Sequence, residues 1–232
     1  MSKKLFSKDV RVLEYEEKPN TSGKTVKPML NVIPIWYKEL QREVMTVVGE
    51  QPSVKHCIPF LDALTIGYYV ALGQDIYIEQ TPDGPSARYS SNTAPVGSRP
   101  PGATGRMPAP AGYDEEHLIF QTQAAIKIPE GYSAIYTHPL NRFDLPFITL
   151  SGVADGEFVV HGGNIPFYIK KDFEGLIPEG TPIIQVIPFL RENWESHHVK
   201  GTWEKGLQNI STEDYSKGGW YRRRKWQKKT YK

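Results

Sequence analysis

Between His117 and Phe189 the chain carries seven short apolar runs, each ended within a few residues by turn chemistry. They are HLIF (117–120), AAIKI (124–128), YSAIYT (132–137), LPFITL (145–150), EFVV (157–160), PFYI (166–169) and PIIQVIPF (182–189). The joins include PEG at 129–131, DG at 155–156, GGN at 162–164 and PEG again at 178–180. Glycine supplies positive φ, proline presets φ near the turn value, and Asp and Asn bond their own backbone. Short strands at this spacing predict a mainly β domain, a distorted antiparallel sandwich or barrel.

The chain around this run is long enough for one such domain. At 232 residues, 39% hydrophobic and 12% aromatic, it can bury a sizeable core. No apolar run approaches the roughly 20 residues a bilayer needs, so no membrane partner is expected. The opening MSKKLFSKDVRVLEYEEK has no apolar stretch of the secretory kind. Cys57 stands alone, which excludes an internal disulfide and fits a reducing compartment. The expected location is the cytoplasm, the host's if the protein is viral, or a virion. Charge is unevenly spread. Residues 217–232 hold eight of the 28 Lys/Arg and no acid, leaving 20 basic against 26 acidic side chains elsewhere.

Residues 1–28 read as an N-terminal arm, 29–210 as a single β-rich domain, and 211–232 as a basic aromatic tail. MLNVIPIWY (29–37) reads as a short strand broken by proline. Trp36, Leu40, Val44, Val47 and Val48 recur at helical spacing, so one N-terminal helix ending at Gly49 is expected. IGYYVAL (66–72) and DIYIE (75–79) flank Gly73-Gln74 and read as a tight hairpin. Residues 81–116, rich in Pro, Gly, Ser and Ala and carrying Arg88, Arg99 and Arg106, read as one long loop. Near the end, Ser211 or Thr212 with Asp214 can cap a helix that Gly218-Gly219 would interrupt.

Residues 124–189, about a third of the chain, resemble the dUTPase and dCTP deaminase group of β-clip proteins. IKIPEGYSAIYT (126–137) is similar to that family's strand before its phosphate-binding turn. SGVADGEF (151–158) is similar to its G-V-I-D-x-D-Y segment, and PEGTPIIQVIPF (178–189) to its glutamine-bearing strand. The resemblance implies a β-clip-like fold and homo-oligomers. It also implies Asp155 as the general base activating water, Phe158 as the ring stacking on deoxyribose, and Gln185 in register with the family's glutamine. The departures are specific. The phosphate-gripping R-S-G turn is replaced by THPLNR (137–142), where Arg142 is left to reach a phosphate. The glycine-rich closing segment is replaced by the basic tail, and the deaminase Ser/Arg/Glu set has no counterpart. KHCIPFLDALTIGYYVAL (55–72), IPEGYSAIYTHPLNR (128–142) and GTPIIQVIPFLRENW (180–194) further resemble a group of phage and bacterial-host proteins for which no activity is established.

The residues allow several chemistries. Asn141, Arg142 and Asp144 form a polar cluster in an apolar region, where the arginine can clamp an anion or pair with Asp144. Asp155 and Glu157 lie two apart, on one side of an extended strand. The glycine at 152 is expected to admit a close backbone approach. His138 and His161, with Asp144 and Asp155, lack the spacing of a strand-borne metal motif, so no metal site is assigned. Cys57, followed by IPF, reads as an inert core thiol. In the tail, Arg222, Arg223, Arg224 and Lys225 interleave with Trp226 and neighbouring aromatics, a composition suited to single-stranded nucleic acid or an acidic protein surface. The resulting expectation is a phage-type non-catalytic binding or virion-assembly protein on a degenerate nucleotide-enzyme-like core. It associates with itself or with another phage or host protein and takes no cofactor. The alternatives are a dUTP/dCTP-type hydrolase using Mg2+, and a nucleic-acid-associated protein acting through the tail. Asn141, Arg142, Phe158 and Gln185 are the candidate nucleotide ligands.

Overall fold

The computed structural model describes residues 10–18, 24–99, 105, 107–156, 163–202, 204 and 220–232. In chain order the strands begin with β1 (Glu14–Glu17) and β2 (Val26–Pro28). A 3-10 turn (Met29–Val32), helix α1 (Ile35–Glu39), the hairpin strands β3 (Glu43–Thr46) and β4 (Gly49–Pro52), a 3-10 turn (Val54–His56) and helix α2 (Ile58–Thr65) follow. Next are β5 (Tyr68–Ala71), β6 (Ile76–Thr81), β7 (Gly84–Arg88), β8 (Val96–Ser98), β9 (Leu118–Gln121), β10 (Ala124–Lys127) and β11 (Tyr132–Thr137). The last strands are β12 (Phe147–Thr149), β13 (Gly152–Asp155), β14 (Asn164–Ile169), β15 (Gly175–Ile177) and β16 (Pro182–Leu190), before a short helix α3 (Trp220–Arg224).

The chain divides into two compact units. The first takes residues 1–28 and 67–191, the second 29–66 and 192–232. In the first, every strand pair is antiparallel. Its sheets run β13-β11-β16-β5-β2, β12-β14-β9-β8, β15-β6-β7 and β1-β10. The fold is mainly β as expected, but among the described residues no sheet closes into a barrel.

Alternation in the strands explains the core. Phe120, Phe147 and Phe167 are buried; Phe120 stacks on Phe167 at 3.6 Å and meets Phe147 edge-on at 5.2 Å. Each such aromatic pair adds about 1 kcal/mol beyond the area it buries. The aliphatic residues Ile76, Ile78, Ile128, Ile169 and Ile184 complete the same cluster. β16 is the longest strand, buried from Pro182 to Val186, and it is flanked on both sides, by β11 and β5.

Several local expectations fail. The expected strand at 29–37 is instead a 3-10 turn followed by α1. The expected helix from Trp36 to Val48 stops at Glu39, and β3 and β4 form a hairpin in its place. Val44, Val47 and Val48 are exposed, so their spacing was not an apolar face. Thr46 closes the turn, its hydroxyl donating to Gly49 O at 2.8 Å and accepting from Val48 N at 3.2 Å. The Gly73-Gln74 hairpin is also absent, because β5 pairs with β2 and β16 while β6 pairs with β7 and β15. The 81–116 segment contains two strands, β7 and β8. Within the arm, β1 and β2 join sheets of the first unit. EFVV (157–160) and the Ser211/Thr212 cap lie outside the described residues.

The second unit has its own small core. Tyr37 stacks on Phe60 at 5.9 Å and Trp36 meets both rings edge-on. Lys55 Nζ donates to the carbonyls of Lys38 (2.6 Å) and Leu40 (2.7 Å), a cation placed on the unpaired C=O groups that end α1. Cys57 is exposed at the start of α2, not a core thiol. Proline at position 59 is tolerated there, since the first helical turn leaves its N–H groups unpaired. Among the described residues no helix is long and apolar enough to cross a membrane.

One backbone position locks β5 against β16. Gly67 has φ +73°, and a Cβ there would come within 2.2 Å of the Val186 carbonyl oxygen. Gly67→Ala is therefore expected to destabilise the protein by more than about 2 kcal/mol. A urea melt reads this directly. A midpoint within error of the parent would show that the β5–β16 approach is looser than described.

Candidate functional site

Among the described residues, the acid of the dUTPase-like segment sits on an outermost strand of the five-stranded sheet. β13 is terminal there, and all four of its residues are exposed. Pairing with β11 sets Asp155 opposite Ser133, Val153 opposite Ile135 and Gly152 opposite Tyr136. The Ser133 hydroxyl donates to the Asp155 carboxylate, and Arg191 Nη1 lies 3.9 Å from its other oxygen. The carboxylate keeps 64% of its side-chain surface open to solvent.

Beside β13 lies a cavity of about 500 Å³. Its wall is largely apolar, built from Val70, Ile126, Tyr136, Leu150, Ile165 and Ile184. Burial pushes the Tyr136 phenol up from its ordinary pKa, so it stays protonated. Asp155 is the acid of the lining, and among the described lining residues there is no Lys, Arg or His. Such a cavity suits an apolar or uncharged group better than a phosphate chain.

The other candidate ligands are held elsewhere. Arg142 is 8% exposed; its Nε and Nη2 donate to Asp144 at 2.9 and 2.8 Å, a bidentate internal pair. Asn141 takes φ +60°, a left-handed turn geometry that asparagine tolerates better than most residues. Gln185 is fully buried, and its Oε1 accepts the Leu140 N–H at 2.8 Å. It pins the 138–142 turn to β16. On the β11 ladder Gln185 stands opposite Thr137 while Asp155 stands opposite Ser133. Four residues of strand separate those levels by roughly 13 Å. Within one chain Arg142 and Gln185 therefore do not meet Asp155 over the cavity. Phe158, Glu157 and His161 lie outside the described residues.

The glycines carry different burdens from those expected. A Cβ at Gly152 would meet nothing within 4 Å, so no close backbone approach depends on it. At Gly156 a Cβ would fall 2.6 Å from Ile128 Cγ1, and Gly156 O accepts the Ile128 N–H at 2.8 Å. The close contact belongs to the glycine after the acid.

His138 is structural. Its Nε2–H donates to Arg142 O (3.2 Å), and its Nδ1 accepts the Thr149 N–H (3.3 Å). That pattern specifies the neutral Nε2–H tautomer. Among the described residues no group of three or more His, Cys, Asp and Glu is placed to hold a metal. In the tail, Arg222, Arg223 and Arg224 lie on α3 and Lys225 follows it, all exposed, while Trp226 is half-buried.

A second cavity, of about 620 Å³, lies where β7 and β8 end their sheets. Buried His117 lines it, and among the described residues His117 Nδ1 has no hydrogen-bond partner. Arg99 and Glu116 stand beside it. Reading 81–116 as a loop concealed this cleft, because Gly84, Pro85 and Gly97 mask the two edge strands.

No protein-family model matches the chain, and no curated protein matches it. Solved structures do. A dUTPase from phage phi11 of S. aureus matches with TM-score 0.37 and 11% identity, covering 82% of this chain and 97% of that one. A second phi11 dUTPase structure gives 0.26 and 16%, covering 45% of this chain and 96% of that one. The dUTPase of Staphylococcus bacteriophage 80alpha, solved with dUpNHpp, gives 0.26 and 18%, covering 47% and 89%. These three solved structures are all phage dUTPases, matched at low superposition and identity.

The His138 bonds carry a pH dependence. Burial, the largest cause, lowers its pKa below the ordinary histidine value, outweighing the bond to the Arg142 carbonyl and the Asp144 charge that raise it, while the Arg142 and Lys170 charges act with burial. A histidine depressed in the folded state stabilises the fold above its unfolded pKa of about 6.5 and loses that contribution as pH falls. The urea midpoint is expected to drop between pH 7.5 and pH 5, which lie on either side of that value. In His138→Asn, which keeps an acceptor for Thr149 N–H, the drop should shrink without vanishing, because burial also lowers the pKa of His117. An unchanged drop in the variant would remove His138 from this linkage.

Proposed function

We propose that the β-core is a phage-type, non-catalytic binding or assembly module that pairs with a second copy of the chain through the β13 edge. One observation carries this reading. Val153, Ile135 and Ile187 form a cross-strand aliphatic row on one face of β13, β11 and β16. Val153 is 67% exposed and Ile135 37%, and Phe189, 38% exposed, extends the patch. An apolar patch on an open strand edge is a surface made for another chain. Antiparallel pairing of two β13 strands would be isologous, the usual form of a homodimer contact.

The internal use of Arg142 and Gln185 supports binding over catalysis, since each is consumed by the fold. The hydrolase reading keeps one supporting observation, the solvent-open Asp155 oriented by Ser133 beside a cavity. It would require Mg2+ to screen a triphosphate that the described lining gives no cation to meet.

Sedimentation velocity on the full chain tests the proposal. The parent is expected to self-associate, and Val153→Lys to shift it towards monomer, with the two urea midpoints agreeing at concentrations where the parent is itself monomeric. A parent that stays monomeric at all concentrations sinks the self-pairing. Incubation with dUTP, dCTP and Mg2+ is the companion assay: turnover that disappears in Asp155→Ala would establish the hydrolase instead.

A further inference from the structure

We propose that the C-terminal segment divides its side chains between a foot on α2 and an exposed set that binds single-stranded nucleic acid. This inference concerns the second unit alone and is independent of the reading of the β-core.

The foot is defined by Asp62. The Trp226 indole N–H donates to both carboxylate oxygens, at 2.9 and 3.1 Å, and Lys229 Nζ lies 2.5 Å from one of them. The Asp62 side chain is only 20% exposed, so these charge-assisted bonds are partly shielded from water. Trp226 N also donates to Tyr221 O at 2.8 Å, which closes α3 onto the foot. Trp226 and Lys229 therefore hold the end of the segment against α2, and these two side chains are already engaged. An indole with its N–H bound and its ring half-buried is a poor stacking platform. Lys229 is likewise neutralised by Asp62.

Other cations of the segment are exposed. Arg222 and Lys225 are exposed on α3 and just after it, Lys228 is exposed further on, and Tyr221 is 40% exposed beside them. Residues 217–232 contain no acid. Each Lys or Arg that neutralises a phosphate releases a counterion condensed on the nucleic acid, so a cluster of exposed cations free of acids favours a polyanion. Tyr221 supplies a ring for one base, which favours single-stranded nucleic acid over a membrane or an acidic protein surface.

The foot makes the lysines unequal, and that inequality is measurable. The full chain is titrated against fluorescein-labelled oligodeoxythymidylate over a series of salt concentrations, read by anisotropy. Lys225→Gln is expected to reduce the slope of log K against log salt by about 0.7, the value for one lost contact to a single strand. Lys229→Gln removes the same charge from the sequence yet should leave the slope unchanged, because Asp62 already holds that ammonium. Asp62→Asn should raise the slope by a similar amount as Lys229 is released. Tyr221→Ala should weaken binding about tenfold. Equal slopes for Lys225→Gln and Lys229→Gln would overturn this division. Absence of salt-dependent binding to the oligonucleotide, or binding only to vesicles containing phosphatidylserine, would overturn the ligand assignment.

Discussion

β16 can run through the middle of the larger sheet only because its two neighbours accept it on different terms. Toward β11 it pairs in unbroken register from Gln185–Thr137 to Leu190–Tyr132. Toward β5 the register shifts between Pro182 and Ile184. Proline at 182 cannot donate to a ladder, and it stands at the strand's first position, where that loss is cheapest. Gly67 then lets the chain before β5 come up against the Val186 carbonyl. The buried run from Ile183 to Val186 follows from this double pairing, and so does the placement of β13 beyond β11.

This arrangement also explains the fate of the candidate nucleotide ligands. A buried amide must be hydrogen-bonded, and Gln185 lies within the most enclosed stretch of β16. It satisfies its acceptor by taking the Leu140 N–H, which stabilises the turn containing Asn141. Arg142, brought inside by the same turn, needs a carboxylate nearby, and Asp144 supplies it two residues on. The arginine side of this pair is nearly buried while Asp144 keeps 34% of its side-chain surface open, so Gln185 and Arg142 both answer to the fold first. Asp155 escapes because it is at the sheet edge.

How much of this the sequence disclosed depended on the range of the interactions involved. The strands at 124–127, 132–137 and 182–190 were legible because their apolar runs and turn residues agree locally. The Arg142–Asp144 pair was legible for the same reason, being two residues apart. Register between distant segments was not. Nothing in IGYYVAL or DIYIE states that the two strands part company into different sheets. The helical spacing of Val44, Val47 and Val48 was coincidental, and β-branched residues around a Thr-x-x-Gly turn favour a hairpin. The Asp62 contact with Trp226 spans 164 positions and leaves no local trace.

The sheet edges themselves bear on what the first unit is for. Natural edge strands are commonly guarded by proline, by lysine or arginine, or by cover. β7 contains Pro85 and ends in Arg88; β8 is followed by Arg99; β2 is Val26-Lys27-Pro28. β12 and β15 have no such residue within them but are partly buried. Among the described residues β13, Gly-Val-Ala-Asp, holds no proline, lysine or arginine and all four of its residues are exposed, with Asp155 at one end. That carboxylate is bonded by Ser133 and approached by Arg191, which softens its repulsion of a neighbouring strand. Among the edge strands compared, β13 thus combines the lack of such a residue with the exposed aliphatic row. An accidental edge would be expected to lack the row, and an accidental row would be expected to carry a guard.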